Sequence, residues 1–126
     1  MNDDEKWMQI AIKESIAAKN EDEIPVGAVL VRNGKLIAKA HNQPISTNDP
    51  TAHAEIQVIR KAGKTEKNYR LVGTTLYVTL EPCIMCIGAL IHARIDRVVY
   101  GAHDNKKRPY RTVSDISNTP PVKLMR

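Results

Sequence analysis

Residues 75–101 read TLYVTLEPCIMCIGALIHARIDRVVYG, and this stretch decides the fold. Its first six residues form a short apolar run rich in β-branched and aromatic side chains, which predicts a buried strand, and RVVYG at 97–101 predicts another. Between them, CIMCIGALIHA at 83–93 predicts a helix that begins beside Pro82, because proline is favoured where a helix starts. A strand, a helix and a strand in succession are typical of an α/β layered domain.

Two further helices are expected nearer the N-terminus. Apolar side chains recur at spacings of three and four along residues 5–19, which predicts an amphipathic helix anchored by Trp7. The apolar positions of that helix are Met8, Ala11, Ile12 and Ile16. A second helix is predicted from Ala52 to Gly63, with Thr51 as its N-cap, because apolar residues at 56, 58 and 59 begin a buried face there.

The remaining strands are predicted from turn chemistry and composition. Asn33-Gly34 is the dipeptide that a type I′ hairpin turn prefers, and it joins β-rich runs at residues 26–32 and 35–40. The short apolar run at 122–125 is a candidate edge strand. We therefore expect an α/β domain with a mixed central sheet, whose first two strands form a hairpin, flanked by helices.

Length and charge narrow the class of protein. The 126 residues predict a single domain over 1–126, in which the pattern weakens at 103–126. Residues 1–25 are acidic, whereas residues 26–126 carry seven acidic and sixteen basic side chains. This surplus favours a polyanionic partner such as nucleic acid, and a solvated basic face is the alternative. The acidic start and the lack of a long apolar run predict a cytoplasmic protein with no membrane partner.

Two cysteines, Cys83 and Cys86, exclude a disulfide framework and point to metal or redox chemistry. At the start of a helix, the helix dipole and exposed N–H groups stabilise thiolate, which is the form that binds metal. Alone, this pair also fits a redox dithiol. His53 favours the metal interpretation, since it too begins a helix after a turn, and layered α/β domains bring helix starts to one edge of a sheet.

The number of candidate ligands indicates a catalytic zinc site. His53, Cys83 and Cys86 supply three ligands, and catalytic zinc typically keeps three protein ligands and leaves the fourth position to water. The other histidines are poor fourth ligands: His92 is expected in a core or interface, His41 at a strand end and His103 in a basic loop. Glu55, two residues after His53, can then shuttle protons, although a glutamate at a helix start is also favoured by the dipole alone.

The order of these residues matches a known signature. The order His53-Ala54-Glu55 followed by Pro82-Cys83-Ile84-Met85-Cys86 resembles the H-x-E…P-C-x-x-C signature of zinc nucleobase deaminases. Residues 7–104 most resemble the bacterial tRNA-specific adenosine deaminases. The matching stretches are EIPVGAVLV, NDPTAHAEI, NYRL, TLYVTLEPCIMCIGALIHARI and RVVYGAHD.

The resemblance implies a three-layer cytidine-deaminase-like fold, one zinc ion per chain and a homodimer. It implies hydrolytic deamination of adenosine to inosine in nucleic acid, most simply at the wobble position of a tRNA anticodon loop, where the base is unpaired. By position, Asn42 would contact the flipped adenine, Val26 would line its pocket, and Ala54 would lend its backbone N–H to the base. Asp104 would approach the target nucleoside or its neighbour.

The C-terminal sequence departs from the family. After Asp104 the family continues with a lysine and a Gly-Ala pair, whereas NKKRPYR stands here. The nucleic-acid contacts expected from this segment are Lys106, Lys107, Arg108, Tyr110 and Arg111. The family also has a final helix that helps to hold the anticodon stem-loop, while this sequence ends at Arg126, so the basic segment is expected to replace part of that grip.

Two other functions fit parts of the pattern. DPTAHAE and PCxMCxGA also occur in deaminases of free guanine, cytosine, cytidine or nucleotides, but a small substrate needs no extended positive surface. A non-catalytic RNA-binding zinc module would also explain the basic charge. Glu55 disfavours that module, because a structural zinc site has no use for a carboxylate beside an open position.

Overall fold

The computed structural model describes residues 1–103 and 123–125, which form a five-stranded mixed sheet with helices on both faces. The helices are α1 (Asp3–Asn20), α2 (Pro44–Thr47), α3 (Ala54–Glu66) and α4 (Ile84–Ala93). The strands are β1 (Gly27–Arg32), β2 (Lys35–His41), β3 (Thr75–Leu80), β4 (Arg97–Ala102) and β5 (Lys123–Met125). None of these helices is long and apolar enough to cross a membrane. Because the structure does not describe residues 104–122 and 126, one domain over 1–126 stays a prediction.

The sheet has the strand order β2-β1-β3-β4-β5. β1 pairs antiparallel with both β2 and β3, whereas β3 and β4 are parallel and joined through α4, and β5 extends the parallel side. A parallel pair needs a crossover of this kind, and the helix supplies it. The expected α/β class, the strand–helix–strand unit and the edge strand near 122–125 are all confirmed.

The hairpin turn forms as its sequence predicts. Asn33 and Gly34 both have positive φ, 51° and 75°, as a type I′ turn requires. A register shift between Leu30 and Val31 adds a β-bulge to the same hairpin, which increases its twist.

Two hydrophobic clusters pack on opposite faces of the sheet and make the fold three-layered. On one face, Trp7 and Ala11 of α1 pack against the strands. On the other, α3 and α4 cover the larger cluster, which includes Val58 and Leu90. The strand residues alternate between these clusters: Ala28, Leu30, Leu76, Val78 and Val98 face α3 and α4, and Val29, Val31, Tyr77 and Val99 face α1. This alternation follows the two-residue period of a strand.

The prediction for α1 is partly wrong. Trp7 and Ala11 are buried as expected, but Ile12 and Ile16 are 40% and 52% exposed. The buried side of the helix instead uses small residues such as Ala11 and Ala18, because α1 lies close to the sheet. Gly27 shows how close: a Cβ built on it would lie 2.1 Å from the Ala11 carbonyl oxygen.

The helix expected over 52–63 is shifted by two to three residues. α3 begins at Ala54 with His53 as its N-cap, and it ends at Glu66 rather than Gly63. The Thr51 hydroxyl does not cap α3, because it donates to Asp49 Oδ1 at 2.7 Å. The short helix α2 was not expected from the sequence.

A polar cluster ties the start of α1 to the sheet. The Arg97 guanidinium donates to both carboxylate oxygens of Asp4 at 2.9 and 2.6 Å, and the Tyr77 hydroxyl donates to Asp4 at 2.7 Å. These hydrogen bonds, first from Arg97 and then from Tyr77, lower the pKa of Asp4 to about 2. Burial, and then the same carboxylate, raise the pKa of Tyr77 to about 12.

Gly27→Ala is expected to destabilise the protein by about 1–3 kcal/mol or more, since the new methyl group meets backbone of α1 that cannot move aside cheaply. Gly63→Ala is the matched control. Its Cβ would meet only Asn68 O at 3.5 Å, so we expect a gain of about 0.5–1 kcal/mol from helix propensity. Urea unfolding measures the free energy of unfolding of both variants. Equal stability for Gly27→Ala and wild type would contradict the close packing of α1 against the sheet.

Asp4→Asn is expected to change the acid sensitivity of the fold. The pKa of Asp4 is lower in the folded protein, so the stability that it contributes is present above about pH 4 and is lost as the pH falls towards 2. Because the side chains are about one-third exposed, we expect a loss of no more than about 1 kcal/mol at pH 7. Unfolding curves between pH 2 and 7 should converge for wild type and variant at low pH, with Asp3→Asn as control. A difference independent of pH would contradict this account.

Candidate metal centre

Two helix starts meet at one edge of the sheet and bring the predicted metal ligands together. His53 is the N-cap of α3 and Cys83 is the N-cap of α4, and both have extended backbone, with ψ of 156° and 173°. Neither side chain caps its own helix. Cys86 lies three residues into the first turn of α4 and is fully buried. His53 is therefore placed just before α3, not within its first turn as the sequence suggested.

The spacing of the donor atoms fits zinc. Nδ1 of His53 lies 3.7 Å from Sγ of Cys83 and 3.6 Å from Sγ of Cys86. A tetrahedral zinc ion with bonds of about 2.3 Å to sulfur and 2.0–2.1 Å to nitrogen separates S and N by about 3.6 Å. The three ligand atoms all lie within 4.8 Å of one another. The arrangement therefore suits one tetrahedral zinc ion.

The two thiols are prepared differently for metal binding. A hydrogen bond from Cys86, helped by His53, lowers the pKa of Cys83 to about 4, although burial opposes this. The same hydrogen bond, together with burial, raises the pKa of Cys86. Cys83 is therefore a thiolate at neutral pH, and a divalent cation that binds both sulfurs displaces the remaining proton.

Glu55 lies next to this cluster and is almost completely buried, at 4% exposure. Burial raises the pKa of its carboxyl group to about 7, with a further contribution from Cys83 and opposing contributions from its backbone hydrogen bond, His53 and Cys86. A carboxyl group with a pKa near neutrality can both accept and donate a proton at physiological pH.

The residues expected around the substrate base also converge here. The backbone N–H of Ala54 donates to Oδ1 of Asn42 at 2.7 Å, and the backbone N–H of Asn42 donates to the Val26 carbonyl oxygen at 3.1 Å. All three residues are buried. Asp104 and the predicted contacts Lys106, Lys107, Arg108, Tyr110 and Arg111 lie outside the described residues.

Glu23 is a buried residue of this region that the sequence reasoning missed. Its two carboxylate oxygens accept hydrogen bonds from the backbone N–H groups of Ile45 at 3.1 Å and Ser46 at 2.7 Å, which begin α2. Burial alone would raise the pKa of Glu23, but these bonds outweigh it and lower the pKa. The contact fixes the segment between Asn42 and His53. The sequence carries no signal for it, because the partners are backbone groups 22 and 23 residues away.

The other three histidines, all within the described residues, do not join this cluster. His41 lies between Glu14 and Glu21, at 3.3 and 2.7 Å, and His103 lies 3.5 Å from Glu81. His92 is exposed, so a core role for it is excluded. One group of three or more histidine, cysteine, aspartate or glutamate side chains is close enough together to hold a metal ion within residues 1–103 and 123–125. It consists of His53, Cys83 and Cys86. Three protein ligands leave a fourth zinc position for water or substrate.

A comparison with known protein families agrees with a zinc site formed by these three side chains. The sequence profile of the family described as the cytidine and deoxycytidylate deaminase zinc-binding region matches residues 1–102. That family supports zinc as the cofactor of the cluster formed by His53, Cys83 and Cys86. When bound, zinc polarises a water molecule and lowers its pKa towards 7.

Individual relatives are more specific. The chain is 54% identical over 111 residues to the tRNA-specific adenosine deaminase of Buchnera aphidicola subsp. Schizaphis graminum, covering 86% of this chain and 74% of that protein. It is 51% identical over 106 residues to the protein of that name from Bacillus subtilis, covering 84% and 66%.

Solved structures of deaminases are also similar to this chain. A structure from a study of A-to-I editing by tRNA:A34 deaminases at the wobble position is similar with a TM-score of 0.89 and 41% identity, covering 98% of both chains. Guanine deaminase from Bacillus subtilis is similar with a TM-score of 0.78 and 41% identity, covering 82% of this chain and 66% of that one. With the family profile and these relatives together, the chain belongs to the tRNA-specific adenosine deaminases, within the zinc-dependent cytidine and deoxycytidylate deaminase family.

Proposed function

We propose that this protein hydrolytically deaminates adenosine to inosine in RNA, at the wobble position of a tRNA anticodon loop. The observation that carries the proposal is a buried glutamate, Glu55, beside a cluster of three side chains that can hold a metal ion. The relatives named as tRNA-specific adenosine deaminases support the choice of substrate. The basic body of the chain suits a polyanion. Since tRNA is the substrate, we propose a cytoplasmic location.

In the reaction, water adds to C6 of adenine, the bond between C6 and the amino nitrogen breaks, and ammonia leaves with a carbonyl group in its place. His53, Cys83 and Cys86 would hold the zinc ion. Glu55 accepts one proton from water and delivers it to the ring nitrogen, and it then passes a second proton, released by the new hydroxyl group on C6, to the departing amine. The pKa of Glu55, raised by burial to about 7, suits both transfers.

Asn42 and Val26 are proposed to hold the flipped base. The backbone N–H of Ala54, which the resemblance assigned to the base, donates to Asn42 in this structure, so Ala54 is proposed to orient Asn42. Oδ1 of Asn42 accepts from the Ala54 N–H, so this bond fixes the side chain with its amide N–H groups available to a ring nitrogen. Val26 offers an apolar wall beside them. Asp104 and the basic segment from Lys106 to Arg111 are proposed to contact the neighbouring nucleotides.

Deamination of free guanine is the second candidate, because the guanine deaminase from Bacillus subtilis is 41% identical over 82% of this chain. The zinc cluster alone serves either reaction. The two functions differ in what surrounds the base, since a free base needs no contacts to flanking phosphates. The excess of basic residues in 26–126 favours nucleic acid.

A homodimer is proposed through α4, which presents an exposed face. Met85 and His92 are exposed, Gly88 and Ala89 are half-buried between them, and the spacings of three and four place all four on one side of the helix. A Cβ at Gly88 would meet nothing within 4 Å, so another chain has room to approach closely. We propose that a second copy packs on this face.

Zinc-loaded protein is expected to form inosine at the wobble position of tRNA and to leave guanine, cytosine and cytidine unchanged, as measured by ammonia release and nucleoside analysis. Faster turnover of guanine than of tRNA would replace the proposal with the second candidate.

Glu55→Gln is expected to lower the deamination rate by at least about a hundredfold, the scale of general acid–base catalysis. Zinc content should stay near that of wild type, since all three ligands remain. Gln57→Glu, at a half-buried position two residues further along α3, is a useful control for local charge. Wild-type turnover by Glu55→Gln would exclude Glu55 as the proton shuttle.

Gly88→Arg is expected to convert the homodimer to monomer in sedimentation analysis at micromolar concentration, because the new side chain occupies the space left at α4. Gln9→Arg on the exposed side of α1 is the control and should leave the dimer intact. A monomeric wild type, or a dimer that Gly88→Arg does not affect, would contradict the proposed interface.

A further inference from the structure

We propose that an open groove at the C-terminal end of α3 binds the sugar–phosphate backbone of the RNA substrate, away from the metal centre. This inference rests on the proposed function, because it assumes an RNA substrate. We call the feature the α3 groove. It lies between the last two turns of α3 and the segment that follows the helix, up to Leu71.

The α3 groove has an apolar floor and a basic rim. Ile59 and Leu71 line the floor, and Arg60, Lys64 and Lys67 line the rim. Arg60 and Lys64 are four positions apart on one side of α3, and Lys67 is the C-cap residue that follows the helix, with a left-handed backbone at φ 53°. The positive charges of Arg60 and Lys64 are therefore about one helical turn apart, roughly 5 Å, a spacing of the same order as that between successive phosphates of a nucleic-acid strand.

Most of this charge is not neutralised within the described part of the chain. Arg60 pairs with Asp49 at 3.4 Å, a contact between exposed side chains. Lys64 and Lys67 have no carboxylate within ion-pair distance among residues 1–103 and 123–125, and Glu66 pairs instead with Arg32. The two lysines therefore present charge to solvent, which is the property that attracts phosphate.

An exposed aromatic ring adjoins the rim. Tyr69 is 77% exposed, and the Arg70 guanidinium carbon lies 5.1 Å from the centre of its ring. Arg70, and more weakly Arg94, lower the pKa of the Tyr69 hydroxyl, so both guanidinium groups contribute positive potential there. An aromatic face beside arginine and lysine side chains is the combination that binds single-stranded nucleic acid through stacking and phosphate contacts.

The position of the α3 groove determines which substrates can use it. α3 has 13 residues and spans about 20 Å, with its first residue at the metal centre and its last at the groove. Glu55 and Lys64 are nine residues apart, about 14 Å along the helix axis. A base held beside Glu55 and a phosphate held by Lys64 must therefore belong to different nucleotides, about two positions apart or more. The groove is expected to contribute to binding of a whole tRNA and not to turnover of a very short oligonucleotide.

The test compares two double substitutions that remove the same charge. Lys64→Gln with Lys67→Gln changes the groove, and Lys13→Gln with Lys19→Gln changes exposed lysines of α1, on the opposite face of the sheet. Binding of full-length tRNA is measured over a range of salt concentrations. Deamination of a trinucleotide with adenosine at its centre, which is too short to reach the α3 groove, is measured in parallel, and thermal unfolding confirms that each variant is folded.

The groove variant is expected to bind tRNA more weakly and to flatten the slope of log affinity against log salt by about 1.4–1.8, because each phosphate that a lysine no longer neutralises lowers the slope by about 0.7–0.9. Its turnover of the short oligonucleotide should equal that of wild type, and the α1 variant should keep the wild-type slope. Lys64→Arg with Lys67→Arg should restore the slope, since arginine also binds phosphate.

Equal weakening by the groove and α1 variants would overturn the inference, because it would show an effect of net charge alone. An unchanged salt slope in the groove variant would also overturn it. Failure of wild type to deaminate any tRNA would instead contradict the proposed function, while the comparison of salt slopes would still decide whether the α3 groove binds RNA.

Discussion

The meeting of two helix starts at one edge of the sheet is the constraint on which the site depends. His53 and Cys83 each occupy the last extended position before a helix, so their side chains leave the chain where backbone N–H groups and the positive ends of the helix dipoles converge. Such a location stabilises thiolate and suits a zinc ion with two cysteine ligands. The parallel pairing of β3 and β4 through α4 places one start, and packing of α3 on the same face of the sheet places the other.

Burial of Glu55 gives the site a carboxyl group with a raised pKa. Glu55 follows His53 by two residues, so the helix that positions a metal ligand also carries the carboxyl group into the interior. Removal from water raises its pKa to about 7, where the group can accept and return a proton. The hydrogen bonds that Glu23 accepts from Ile45 and Ser46, and that Asn42 accepts from Ala54, fix the segment leading to His53. The side chains around the metal are thereby held before any substrate arrives.

The sequence predicts local features better than tertiary ones. The hairpin could be predicted from Asn33-Gly34, because a type I′ turn needs positive φ at both central residues. The metal cluster could be predicted because zinc requires histidine and cysteine ligands in a recognisable pattern. The exposure of Ile12 and Ile16 was not predictable, since it results from the close approach of α1 to Gly27, which is a property of the packed sheet. α3 starts later than predicted because the Thr51 hydroxyl donates a hydrogen bond to Asp49 and therefore does not cap the helix. The contacts of Glu23 join segments with no shared sequence pattern.

The proposed chemistry requires a zinc ion held by three protein ligands with one position open. X-ray absorption spectroscopy of the zinc-loaded protein at the zinc edge tests it most directly, because sulfur and the lighter nitrogen and oxygen atoms are distinguished by distance and scattering. We expect two sulfur atoms at about 2.3 Å and two nitrogen or oxygen atoms at about 2.0–2.1 Å, one of them exchangeable with added ligands such as azide. A shell of four protein ligands that azide does not alter would contradict it.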